Sequence, residues 1–187
     1  MNAPICESYL RFDLPHGSQH HEDVNPNGPG VDFEIAATPP VWLEVKNWDA
    51  PVIPAEQRPK SDRDYLSKTK SASSFWGDIV AKFEGTHDCL QQVHARPRYL
   101  VLALLLESRL FSETALAPAI SILEALVATS QKVGGSGVAV FNAASLSKFV
   151  PSAKATPCDV GLFPQHVCRN PVDRCSVERR KHSGTAP

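Results

Sequence analysis

The chain has 187 residues, of which 42% are hydrophobic and 21% charged, and its formal net charge is −1. That length suits one domain around a single core, and the composition is that of a globular protein. The near-neutral balance gives no evidence for nucleic-acid or membrane binding and leaves room for a local basic patch that the sum hides.

At the amino terminus, MNAPICESYL has no basic region followed by an apolar one, so no secretory signal is read there and cytoplasmic residence is expected. Glu7 to Leu14 (ESYLRFDL) alternates polar and apolar residues and reads as a first strand. PHGSQHHEDVNPNGPG is a loop by its Gly, Pro and Asn content. VDFEIAA reads as a strand, TPP as a turn and VWLEVKNW as the next strand. DAPVIPAEQRPKSDRDYLSKTK is polar and begins proline-rich, which predicts a long surface connection with a short helical turn near Tyr65. Ser71 to Val93 is a helix, because Phe75, Ile79, Phe83 and Leu90 recur near helical spacing. RYLVLALLL has the continuous apolar character of a central strand buried on both faces. It is too short to cross a bilayer, so no membrane partner is expected. Glu113 to Val133 is a second helix, with Pro118 in its first turn and Gly134 and Gly135 at its end. GVAVFNA is a last core strand. A three-strand meander followed by crossover helices predicts an α/β fold over residues 1–150, a mixed β-sheet flanked by helices. From Pro151 the period disappears, prolines recur and the end is basic, so residues 151–187 are expected to form a poorly ordered tail.

Two of these strands carry charge in their middle. Residues two apart share a face, so Asp32 and Glu34 project together, as do Trp42, Glu44 and Lys46 on the partner. If TPP closes a hairpin that pairs Asp32 with Lys46, Glu34 faces Glu44 and all four charges converge. Two carboxylates facing across strands repel each other, and a divalent cation between them reverses the sign. Carboxylate oxygens are the ligands Mg²⁺ prefers, and a nearby lysine can orient a water or stabilise charge on a phosphate. The patch therefore has the parts for metal-assisted phosphodiester hydrolysis. The plain rival is a solvated sheet face with an Asp32–Lys46 salt bridge.

Asp32 followed in the next strand by Glu44-Val45-Lys46 resembles the signature of the PD-(D/E)XK nuclease superfamily. The order of elements from Glu7 to Ala143 is similar too. The resemblance implies a restriction-endonuclease-like core that cuts nucleic acid, DNA first and RNA second, with Mg²⁺ or Mn²⁺ as cofactor. It implies Asp32 and Glu44 as catalytic metal ligands, the Val45 carbonyl as a further ligand, and Lys46 as the residue that serves the attacking water. Glu34 would assist through a second ion or a water. The family core usually opens with a helix bearing another acid; here only Glu7 stands near that place. Val31 occupies the position of the proline that names the motif. Some relatives use a glutamine in the following helix, where Gln91 and Gln92 fall. The short front also fits a catalytically inactive nuclease-like domain that acts as a binding or interaction module.

Lys60, Arg63, Lys68 and Lys70, with Arg58, outnumber Asp62 and Asp64 in the connection after the motif. With Lys82 on the first helix they are candidate phosphate contacts, although the connection reads equally well as solvated surface. His16, His20 and His21 read as residues of a solvated loop rather than metal ligands. Trp42 and Trp48 read as core, and His87 and His94 as packed or exposed helix residues. Arg179, Arg180 and Lys181 add only nonspecific attraction. The cysteines, Cys6, Cys89, Cys158, Cys168 and Cys175, are odd in number and form no CxxC pair. They read as free thiols in a reducing compartment, and Cys158, Cys168 and Cys175 with His166 fit no compact zinc finger.

Overall fold

In the computed structural model, the arrangement is described for residues 5–21, 30–70, 74–91 and 100–158. The strands are β1 (Ile5–Glu7), β2 (Leu10–Asp13), β3 (Gln19–His20), β4 (Phe33–Ile35), β5 (Val41–Asn47), β6 (Val101–Glu107), β7 (Gly137–Phe141) and β8 (Lys154–Pro157). The helices are α1 (Arg58–Lys70), α2 (Ser74–Gln91), α3 (Glu113–Thr129) and the short α4 (Leu146–Phe149). No helix of the described residues is long and apolar enough to cross a membrane.

The centre is a five-stranded mixed sheet in the order β3-β4-β5-β6-β7. β3, β4 and β5 run antiparallel; β5, β6 and β7 run parallel. The parallel steps need long crossovers, which α1 with α2 and then α3 supply. One sheet face carries Trp42, Leu102, Leu104 and Leu106, packed under Tyr65 of α1, Trp76, Ile79 and Phe83 of α2, and Leu123 and Val127 of α3. The other carries Leu43, Val45, Ala103, Leu105 and Phe141 and is covered by Leu10 and Phe12 of β2 with Leu146, Val150 and Ala153. β6 is therefore buried on both faces, as its continuous apolar run requires. The layers are helices, the five-stranded sheet, then a smaller sheet in the order β1-β2-β8.

Several expectations are corrected. ESYLRFDL is not one strand but the hairpin β1–β2, closed by Ser8 and Tyr9 at φ 50° and 63°. Neither residue is a Gly or Asn, so the sequence carried no sign of a left-handed turn. The first strand of the meander is instead the short β3, inside the apparent loop. The connection after β5 is not mainly irregular: α1 spans 13 residues. Only Tyr65 and Thr69 of it are buried, too narrow a stripe to register as a period, while Pro59 near its start suits a first helical turn. Pro118 lies inside α3, past its first turn, and α3 ends at Thr129. Gly134 and Gly135 belong to the turn that follows; Gly135 has φ 83°, and a Cβ on Gly134 would stand 2.5 Å from the Ser130 carbonyl. The tail is ordered at its start, since β8 pairs with β2. Residues 159–187, with Arg179, Arg180, Lys181 and His166, lie outside the described residues, as do Gln92 and His94.

The hairpin register also differs by two residues. Phe33 pairs with Leu43 and Glu34 with Trp42, which carries Asp32 opposite Glu44. A shift of two keeps every side chain on its face. Asp32, Glu44 and Lys46 still converge, but Glu34 faces Trp42 and Gln19 rather than Glu44.

Candidate active site

The site forms where β4 and β5 part. Asp32 Oδ2 accepts the Val45 N–H at 2.7 Å, so a carboxylate takes the place of a ladder bond. Both main-chain groups of one strand residue project to the same side, so the Val45 carbonyl faces the same edge. The Asp32 carbonyl accepts the His21 N–H at 2.9 Å. The Val31 N–H donates to Thr86 Oγ1 at 2.8 Å, and the Thr86 hydroxyl donates to the Lys82 carbonyl at 3.0 Å. Helix α2 is thus tied to the start of β4, which sets Lys82 over the sheet.

Glu44 is 0% exposed. Its Oε1 accepts from Lys46 Nζ and from Lys82 Nζ, each at 2.5 Å. Its Oε2 is buried with no hydrogen-bond partner among the described residues. Burial of a carboxylate oxygen without a partner is costly, which sets Glu44 apart from the other buried side chains around it.

A third carboxylate arrives from the smaller sheet. Glu7, the last residue of β1, is buried. The Ser8 hydroxyl donates to Glu7 Oε1 at 2.9 Å, and His20 Nε2 lies 3.3 Å from Oε2. The Asn47 side-chain amide donates to the Ser8 carbonyl at 2.8 Å, which pins the left-handed turn against the end of β5. Non-glycine residues in that conformation persist where surrounding contacts impose it, often beside functional groups.

The carboxylates act on one another. Burial first, then the charges of Glu44 and Glu7, push the Asp32 carboxyl well above the usual range. For Lys46, burial opposes the ammonium, but Glu44 and Asp32 outweigh it and raise its pKa, so it stays charged. Burial, aided by His20, lowers the pKa of His21 and keeps it neutral.

These groups fit a divalent cation in donor chemistry: carboxylate oxygens of Asp32 and Glu44, one of them unpartnered, and a peptide carbonyl, all hard donors. Among the described residues, no three His, Cys, Asp or Glu side chains form a closed ligand set. Mg²⁺ is commonly held by one or two carboxylates, with water and substrate phosphate completing its shell.

Of the remaining candidates, Lys60, Arg63 and Lys70 are exposed on α1 and fall on one side of it by helical spacing. Lys68 reaches Asp64 at 3.2 Å, Arg58 pairs with Asp49, and Asp62 is taken by Arg109. Trp42 is core, and Trp48 donates to Asp64 Oδ2 at 2.7 Å while packing edge-on against Tyr65 and Phe75. His16 is exposed, as expected of a loop residue, but His20 and His21 are buried, His20 by β-pairing with Phe33 and by Glu7. Sequence reasoning missed His20, Ser8, Asn47 and Thr86 as supports of the site. Thr86 had one available signal, its place four residues after Lys82 on the buried side of α2.

Comparison with protein-family models, with curated proteins and with solved structures gives no match.

Proposed function

We propose that the chain is a metal-dependent nuclease of the PD-(D/E)XK type, with a restriction-endonuclease-like core, that hydrolyses phosphodiester bonds of DNA, with RNA as the second candidate. The observation that carries this is the convergence of Asp32, Glu44 and Lys46 at the parting of β4 and β5, with Asp32 anchored on the Val45 N–H. The order of strands supports it: antiparallel up to β5, then parallel across helices.

Asp32, Glu44 and the Val45 carbonyl would hold Mg²⁺ or Mn²⁺, which when bound supplies positive charge to the scissile phosphate and acidifies water. The protein's own groups do the rest. Lys46, kept charged by its acidic neighbours, donates hydrogen bonds to the attacking water and offsets charge developing on the phosphate. The water oxygen bonds to phosphorus and gives up a proton to solvent, the ester P–O bond breaks, and the departing oxygen takes a proton from solvent. Lys82 brings a second ammonium to the same carboxylate, within reach of a phosphate placed there. Lys60, Arg63, Lys68 and Lys70 on α1 would steady the flanking backbone.

One observation favours the second reading, an inactive nuclease-like binding module: Lys46 and Lys82 already neutralise Glu44 without a cation. Cleavage of plasmid and single-stranded DNA in Mg²⁺ or Mn²⁺ separates the two. The nuclease requires cleavage that Lys46→Ala and Asp32→Ala both abolish with the fold intact by circular dichroism. DNA binding without cleavage under either metal would establish the module instead.

A further inference from the structure

We propose that Cys6 and Cys158 are a disulfide-forming pair, an oxidisable site that joins β1 covalently to the end of β8. Both are buried cysteines, each 4% exposed. The Cys158 and Cys6 Sγ atoms lie 2.7 Å apart, well inside van der Waals contact. Closing that gap to a bond needs a movement of about 0.7 Å. Their positions follow from the smaller sheet. Cys6 sits on β1 opposite Arg11 of β2, and the Cys158 N–H donates to the Tyr9 carbonyl at 2.9 Å, just beyond the β2–β8 ladder. β1 and β8 lie on opposite sides of β2, so β2 is the strand that ties them in this sheet. Tyr9, at the tip of the turn, packs against the two cysteines. The pair is separated by 152 positions, so a bond would close nearly the whole described chain.

The chemistry requires an oxidant, and a small disulfide such as oxidised glutathione supplies it. One protein thiolate attacks a glutathione sulfur, the S–S bond breaks and one glutathione thiolate leaves. The second protein thiolate then attacks the mixed disulfide and releases the other. Two protein thiols are oxidised, one glutathione disulfide is reduced to two thiols, and the two protons pass by way of solvent from the protein thiols to the departing glutathione thiolates. Because both thiols are buried, exchange proceeds from locally opened molecules and is slow. The site does not depend on the nuclease proposal, although Cys6 directly precedes Glu7, so the bond would also fix the turn that presents that carboxylate.

The test uses the full chain, folded, incubated with oxidised glutathione, blocked with iodoacetamide and digested with trypsin and Asp-N. The expected product is Met1–Arg11 joined to Ala155–Cys158, two hydrogens lighter than the separate peptides and split by dithiothreitol. Oxidised protein should melt higher than reduced by on the order of 10 °C. Cys158→Ser and, separately, Cys6→Ser should lose both the product and the shift. Alkylation of both thiols, glutathione left on each without a cross-link, or Cys6 joined to Cys89, Cys168 or Cys175 would overturn the proposal. The peptide map is read on the wild-type chain, so it stands even if a serine variant fails to fold.

Discussion

Removing either end of the Glu44–Lys82 pair should have very different costs. Glu44 is fully buried, whereas the Lys82 side chain is 32% exposed. Breaking a fully buried ion pair costs about 3–5 kcal/mol because an uncompensated charge remains inside. In Lys82→Met, Glu44 keeps Lys46, and the lysine is partly solvated, so the expected loss is about 2 kcal/mol. At about 2–4 °C per kcal/mol for a chain of this size, the melting temperature should fall by about 4–8 °C. Glu44→Gln weakens two charge-assisted hydrogen bonds and leaves a buried amide nitrogen where the unpartnered oxygen was, but it also removes an acid that crowds Asp32. These effects oppose each other, and the net change should stay within about 1 kcal/mol. Urea unfolding of both variants gives the comparison, and millimolar Mg²⁺ should restore part of the loss in Lys82→Met while leaving Glu44→Gln unmoved. If Glu44→Gln costs as much as Lys82→Met or more, the pocket is not overloaded with acid and the case for a cation there collapses.

Asp32 gives a pH test with a definite sign. Its folded pKa lies above the ordinary value of 3.8, so the native state holds a proton that the unfolded chain releases. Its contribution to stability is therefore full below that ordinary value, declines as pH rises through the raised one, and stays lost above it. Asp32→Asn should match the wild type below about pH 4 and become progressively more stable than it at higher pH; melting curves in which the wild type gains on the variant as pH rises would contradict this. Thr86→Val should cost about 1–3 kcal/mol, because it strands the buried Val31 N–H, while Thr86→Ser should cost less; equal denaturation midpoints for the two would refute it. Replacing Lys60, Arg63 and Lys70 together by alanine should flatten the dependence of log K on log salt by about 0.9 per lost contact with duplex DNA. An unchanged slope would remove α1 from the DNA-binding face.

Much of this arrangement was legible because period and burial report the same thing. β6 reads as buried on both faces from LVLALLL, and α2 from Phe75, Ile79 and Phe83. The face shared by Asp32, Glu44 and Lys46 was readable because parity survives a register error of two. The register itself was not, because it depends on where Asp32 leaves the ladder to bond the Val45 N–H. The hairpin β1–β2 was hidden by a turn of Ser8 and Tyr9, whose conformation is imposed by Asn47 and by Glu7's partners rather than by local preference. His20 was lost with it, since its burial comes from a strand of two residues that exists only through pairing with β4. Helix α1 was lost because two buried residues leave no stripe.

The misread segments share a physical cause that bears on function. β1, β3 and the Ser8–Tyr9 turn have weak local signals because none of them would form alone. Each is held by contacts made at the site: Glu7 with His20, Asn47 with the Ser8 carbonyl, His21 with the Asp32 carbonyl. A fold built only for stability would have little use for three buried carboxylates beside two ammonium groups, since apolar residues of similar size often serve as well. The residues that local preference explains least are thus the ones that gather around Asp32 and Glu44, where packing alone gives the weakest account of the sequence.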